Sequence, residues 1–358
     1  MAADENSSGS PNVDILVDGA ELPDDHFQEY VVERDMFQPD MATIMLNNQG
    51  NRYTDKKIGA AVEIKVGDKK TSIFKGEIVG LEPTFGEKSR IMIRCMNKLH
   101  RLLRIRKSRT WTDKSDEEVL KAVVGDAGLT LEWKHDKSIK YKHVYQHNQT
   151  DLEFIRVRAA RLGCHVWCID TKVFVKEPDF GATCGITLKV AKAAKDAQLM
   201  SFAPRMSSAG VVKKVTVRGW NPEKKELIEG SFSAGSSQLG AKHASAAAND
   251  HGKEETFVAD HPITSKEEAD ALAKARLVDM CLTYITGEAQ VKGTEPKLEL
   301  GKTVTIEANF EKKDDPFNGP YFIMGVTHRH KTKSEGGGGA AKPAHAIIKL
   351  ARDAQGPK

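Results

Sequence analysis

The chain lacks most of what a membrane, secreted or catalytic protein needs. Across 358 residues there is no run of 18 apolar residues, so no segment reads as a membrane-crossing helix. Charge of one sign is not in surplus: 54 basic residues against 50 acidic ones leave +4, too balanced to imply a nucleic-acid partner from the total. Aromatic residues make up 6%, and none interleaves with the one basic run, residues 100–109. Without rings to stack on bases, that run reads as the solvent- or subunit-facing edge of a strand. Five cysteines (Cys95, Cys164, Cys168, Cys184 and Cys281) are odd in number and scattered, which argues against a disulfide framework and for free, buried thiols. Cys164 and Cys168 fall on one face of a strand, with His165 on the other. The opening MAADENSSGSPNVD is acidic and polar, the reverse of a signal peptide. Residues 1–11 are therefore expected to be a disordered lead, and the protein to fold in the cytoplasm.

The motifs of catalysis are missing too. No G-x-S-x-G, P-loop, G-x-G-x-x-G or H-E-x-x-H occurs. His135, His143 and His147 form the densest histidine cluster, but only Asp136 lies near at ligand spacing. They read as exposed strand and loop residues. His328 and His330 project from one side of a strand, yet Arg329, Lys331 and Lys333 would repel a cation. The pairs Glu117–Glu118 and Glu267–Glu268 sit in first turns of helices, where they complement the macrodipole. No catalytic residue, cofactor or metal is expected.

What the sequence does contain is punctuated alternation. From Val13 to about Arg106, short strands follow one another between Gly, Asn, Asp and Lys clusters, the pattern of an antiparallel sheet or small barrel. The pattern then changes. Ser115 to Glu118 and Thr150 to Glu153 are capping boxes, each opening an amphipathic helix: Val119, Leu120, Val123 and Ala127 in the first, Leu152, Ile155, Ala159 and Leu162 in the second. Gly163 supplies the left-handed stop. Two strands around Val166 and Phe174 complete an α/β segment. Strand signals return near Ile186, Phe202 and Val215. A Ser/Ala/Gly-rich stretch at 231–256 follows as a flexible insertion, then a third capping box, Ser265 to Glu268, and its helix. Strands resume after Cys281, and the tetraglycine 336–339 reads as a hairpin tip. Two strand-rich regions thus flank a helical one, which suggests a duplicated architecture without repeat by identity.

Several segments, in order, resemble the phage late control protein D family of tail hub proteins. The same fold forms the amino-terminal part of the valine-glycine repeat protein G spike of type VI secretion. The strand signature is matched by IFKGEIV, with Phe74 and Gly76. The next motif is matched by Ser108, Arg109 and Trp111, with a capped helix ending at Gly128–Leu129. A third is matched by Tyr145, Gln146, Thr150, Asp151, Phe154 and Ile155. Near the end come Gly301 and Val304, then Phe317, Asn318, Gly319 and Tyr321, then Val326 and His328. These are folding residues: Gly76 for a twist or bulge, Asn318–Gly319 for a tight hairpin.

The resemblance implies an α+β, mainly β fold of two small similar β-barrels flanking an α/β region. The first barrel is expected at 12–108 and the α/β connecting domain at 109–180. The second is split over 181–233 and 286–352, around a low-complexity insertion plus helix at 234–285. It also implies a homotrimer whose six barrels form a pseudo-six-fold ring, adapting a six-fold tail tube to a three-fold spike in a contractile baseplate. The implied partners are the tail tube protein, a separate spike protein and baseplate proteins, with nucleic acid at most in transit through the channel. The sequence ends just after the hub-like region, which motivates the expectation of a separate spike. The other readings are a virion-associated cell-wall hydrolase or cargo effector, and a module gripping nucleic acid through residues 100–109.

Overall fold

The computed structural model describes residues 13–135, 138–190, 198–221, 224–233, 235–251, 255–259, 262–309, 311–332 and 342–357. The expected disordered lead, Asp136 and the tetraglycine tip lie outside the described residues.

The first unit is built from period-two alternation, which gives each strand one apolar face. Its strands are β1 (Val13–Val17), β2 (Ala20–Glu21), β3 (Phe27–Asp35), β4 (Gln38–Asn47), β5 (Ala61–Val66), β6 (Thr71–Thr84) and β7 (Arg90–Met96). Val32, Ile44, Ile64, Ile78 and Ile93 point inward from five of them into one shared core, so the sheet curls around its own side chains.

The middle unit comprises β8 (Arg106–Ser115), α1 (Asp116–Gly125), β9 (Thr130–Lys134), β10 (Lys140–Thr150), α2 (Asp151–Arg161), β11 (His165–Ile169) and β12 (Lys172–Lys176). Both capping boxes are complete, with Ser115 and Thr150 accepting from the third backbone N–H and Glu118 and Glu153 reaching back. The apolar stripes of α1 and α2 meet Val166, Val173 and Val175 in a second core. Ala127 lies past the end of α1, half-buried. The basic run is not a continuous strand: Lys98–Leu103 forms a 3-10 turn capped by Asn97, and β8 begins only at Arg106.

The second unit contains β13 (Thr183–Lys189) and β14 (Leu199–Met206), then an inserted layer, then its remaining strands. The inserted layer is β15 (Lys214–Asn221), β16 (Glu226–Ser233), β17 (Lys242–His243), β18 (Glu255–Val258) and α3 (Lys266–Leu282). After it come β19 (Ile285–Lys292), β20 (Thr303–Glu307), β21 (Gly319–Lys331), β22 (Lys342–Arg352) and β23 (Ala354–Gln355). The residues of β15 and β16, expected in the second barrel, instead pair with β18 in a separate three-stranded sheet. A Cβ on Gly230 would meet Ala269 at 2.6 Å, so only a glycine there lets α3 lie on the hairpin. The third capping box is half made. Ser265 caps Glu268 N–H, but the Glu268 carboxylate accepts from Thr264 instead.

Two separate closed barrels are not what hydrogen bonding draws. Among the described residues a single 13-stranded sheet runs through both units, and its ladder does not return on itself. One strand joins them: the start of β21 pairs with β20, and on the same edge Gly325–Lys331 pairs with β3 of the first unit.

The expected duplication is visible in topology. In the first unit the strand order is β1-β5-β6-β7-β4-β3; in the second it is β13-β20-β21-β22-β19-β14, the same order in the same chain sequence. Irregularities repeat as well. The shift between Ile78 and Gly80 against β7 recurs between Ile323 and Gly325 against β22. That at Phe27–Glu29 against β4 recurs at Leu199–Ser201 against β19. Gly59 N–H donates to Ile78 and Ile78 N–H to Ala60; Gly301 donates to Ile323 and Ile323 to Lys302. Both glycines have positive φ, +90° and +77°. One difference stands: β1 pairs antiparallel with β5, whereas β13 is parallel to β20.

Candidate assembly surfaces

The motif residues fall in three packing centres and one seam, which is where structural rather than chemical residues belong. In β6, a Cβ on Gly76 would sit 2.3 Å from the Met96 carbonyl and 2.6 Å from the Phe74 ring. The glycine therefore serves a close backbone approach; the bulge lies further on, beyond Ile78.

At the start of α2, Asp151 is buried and accepts from Lys107 at 2.6 Å, Arg109 at 2.5 Å and Gln146 at 3.0 Å. Trp111 stacks on Phe154 with ring centroids 5.4 Å apart, and the Arg109 guanidinium lies over the indole. The basic run is thus largely consumed internally. Arg101 pairs with Glu77, Arg106 with Glu153, and Arg109 with both Asp126 and Asp151. A surface whose cations already have carboxylate partners offers little to a phosphate backbone.

The third centre surrounds Arg352, a residue the sequence reading passed over. It is fully buried, donating to the carbonyls of Leu239 at 2.8 Å and Asn318 at 2.9 Å and stacking over Tyr321. The only signal in the sequence is an arginine at the end of an apolar run. Gly319, at φ +130°, leaves the space that this guanidinium occupies: a Cβ there would meet Nη2 at 2.5 Å. Asn318 and Gly319 do not form the expected tight hairpin. Asn318 instead organises the loop between β20 and β21, donating to the carbonyl of Asn309 at 2.7 Å and accepting from its N–H. Tyr321 donates to the Phe317 carbonyl, and Gly301 packs against Trp167.

His328 lies at the seam, fully buried, with neither ring nitrogen bonded. Burial, then the nearby Arg34, pushes its pKa down to about 3; burial raises that of Asp40, 3.7 Å from Arg34, to about 6. His330 stacks on Phe27, also neutral-leaning through burial. His143 and His147 lie exposed on β10.

Among the described residues no group of three or more His, Cys, Asp or Glu is placed to hold a metal ion. An apolar groove of about 740 Å³ lies where the units meet and is lined by Phe37, Cys164, Val166, Met324 and Leu350. The Cys164 thiol in it is pushed up by burial, the opposite of an activated nucleophile. What the surface does offer is unfinished sheet. Among the described residues β14 has no strand on its outer edge, β6 runs on past β5, and Phe85 beyond it is 66% exposed. Trp220 and Leu227 form an exposed cross-strand pair on the inserted sheet.

Solved structures share this fold. The chain is similar to the tail protein from Neisseria meningitidis MC58, with a TM-score of 0.70 at 13% identity over 96% of this chain and 97% of that one. It is similar to the 43 kDa tail protein of prophage MuSo2 from Shewanella oneidensis, with a TM-score of 0.69 at 12% identity over 97% and 100%. It also resembles the E. coli c3393 protein, a component of the type VI secretion system with structural similarity to T4 bacteriophage tail proteins gp27 and gp5. There the TM-score is 0.62 at 10% identity, over 94% of this chain and 76% of that one. The expected mainly β, tail-protein fold is therefore the observed one. No curated protein matches the sequence. A family model described as the Alg8 N-terminal domain matches residues 9–332.

Proposed function

Because the chain is folded as phage tail proteins are, we propose that this member of the Alg8 N-terminal domain family is the structural hub of a contractile tail or tail-like injection system. The observation that carries this reading is the internal duplication: one chain holds the same strand order twice. Three chains then present six similar units to a six-fold tail tube. The inserted layer of β15 to β18 and α3 occurs once per chain, hence three times, a number that matches a three-fold spike. Such adaptation requires no reaction, only rigid interfaces, typically about 2,000–5,000 Å² for an obligate contact.

In this reading the partners are two further copies, the tube protein, a spike protein and baseplate proteins. Assembly takes place in the bacterial cytoplasm, and nucleic acid at most passes through the channel. Light scattering over a range of concentrations tests it, alone and with candidate tube and spike chains. A species near three times 39.4 kDa is expected. A chain that stays monomeric in every mixture would sink the hub reading and return attention to a hydrolase or effector role.

A further inference from the structure

The apolar groove between the units holds a cation that no group of the protein answers. Its walls come from the β3–β4 turn through Phe37, α2 through Arg156, β11 through Val166, the end of α3 through Leu282, β21 through Met324 and β22 through Leu350. Arg156 is half-buried, and its Nε and Nη2 are closed off from water with no acceptor. Among the described residues it makes no ion pair. The carboxylate whose charge reaches it is Asp35, and both oxygens of Asp35 are engaged. Oδ1 accepts from the Phe37 N–H at 2.8 Å and Oδ2 from Lys349 Nζ at 3.2 Å. Burial accordingly lowers the Arg156 pKa, as it does for any cation without a counterion. His165, also in the lining, has a buried and unbonded Nδ1. Buried polar groups normally have partners, and orphans gathered in one cleft call for an external one.

We infer that this groove binds an aliphatic carboxylate, a fatty acid, with its head group on Arg156 and its chain against Phe37, Val166, Met324 and Leu350. The inference does not rest on the hub reading. A cleft of about 740 Å³ has the size and character of a small-molecule site, apolar with few polar groups. The groove's other carboxylates do not compete for the cation. Asp279 lies 3.9 Å from His165 Nε2, and Glu288 is exposed, opposite Lys349 on the β19–β22 ladder. Phe37, 60% exposed at the turn, gains a cover.

The walls also decide between an acyl chain and a peptide. β19, β21 and β22 are hydrogen-bonded to strands on both edges, so they have no ladder to extend. β11 does have a free edge among the described residues, but Asn97 takes its Cys168 carbonyl, and only its first two residues line the groove. A peptide laid there would leave most of its N–H and C=O groups without partners. An acyl chain has none to satisfy, and its single charged end matches the single unpaired guanidinium. Because the walls come from all three units, an occupant would hold the units in one arrangement and raise the melting temperature.

Dansylated undecanoic acid, which brightens and shifts to the blue in apolar surroundings, tests this on the whole chain. Saturable binding at one site per chain is expected. Dodecanoate, kept below its micellar concentration, should displace it, and dodecanol, which lacks the charge, should do so about tenfold or more weakly. Arg156→Gln should reduce dodecanoate to the affinity of dodecanol, leave dodecanol unchanged and melt no lower than the parent, since no ion pair is lost. Ala160→Trp, at an exposed position of α2 in the groove wall, should block both. Absence of saturable binding overturns the assignment. So does equal affinity for the two dodecyl compounds, or an Arg156→Gln chain that binds dodecanoate as the parent does. Displacement by N-acetyl-trileucine as strong as by dodecanoate would reassign the groove to peptide C-termini and overturns it too. These readouts are independent of how many copies assemble, so their failure leaves the hub reading to be judged by light scattering.

Discussion

Replacing Gly76 with alanine would press a methyl group against the Met96 carbonyl, 2.3 Å away. The obstacle is backbone, so β6 and β7 must separate, and a loss of about 1–3 kcal/mol is expected in urea denaturation. His328 gives the pH dependence. Folded, its pKa is about 3, through burial and Arg34; unfolded, it regains the ordinary 6.5. The stability that the neutral ring contributes is whole above pH 6.5 and is lost as pH falls towards 3, at up to about 1.4 kcal/mol per pH unit. Asp40, raised to about 6 by burial, works the other way. Its contribution is present below its ordinary 3.8 and is lost as pH rises through 6. Denaturation midpoints between pH 7 and 4 should therefore fall less steeply in His328→Leu than in the parent; equal slopes would exclude this role for His328. At this scale a glycine amid apolar strand residues was legible as a constraint, though not which one. Arg352 was not legible, because its acceptors come from loops at Leu239 and Asn318.

Within the middle unit, helix ends and helix packing should be separable by their energies. Thr150→Ala removes one N-cap acceptor and should cost about 1 kcal/mol. Asp116→Ala strands the Arg158 guanidinium, buried beside it and stacked on Tyr141, and should cost about 3–5 kcal/mol. Comparable losses would show that Arg158 relaxes to solvent. Capping boxes were readable because their signal lies within four residues. The ladder between β8 and β10 was not, since α1 and β9 separate its strands. Nor was the fate of β15 and β16, whose alternation suits any sheet; Gly230 beneath α3 and Gly219 against Ile263 decide it.

Across the whole molecule the thiols report how tightly the units are packed. Burial pushes Cys95, Cys168 and Cys281 up to about 12, raises Cys164 as well, and leaves Cys184 half-buried. Ellman titration of the folded protein should find at most one reactive thiol, and of the unfolded protein all five. Two or more in the native state would mean that the units part readily. The tail-protein fold was legible from ordered motifs spread along the chain. The duplication was legible only as a suspicion, because what the two units share is strand order and bulge position, properties carried by hydrogen bonds rather than by side-chain identity.

The seam also has a history in time. Thr332 bonds to the Phe27 carbonyl across 305 residues of chain. At roughly 5–20 residues per second of synthesis, β3 emerges from the ribosome about 15–60 s before the strand that covers it. Through that interval the nascent chain carries an open edge with no proline along it. Completion of the last strands is therefore the step that ends its exposure to neighbouring chains on the same polysome.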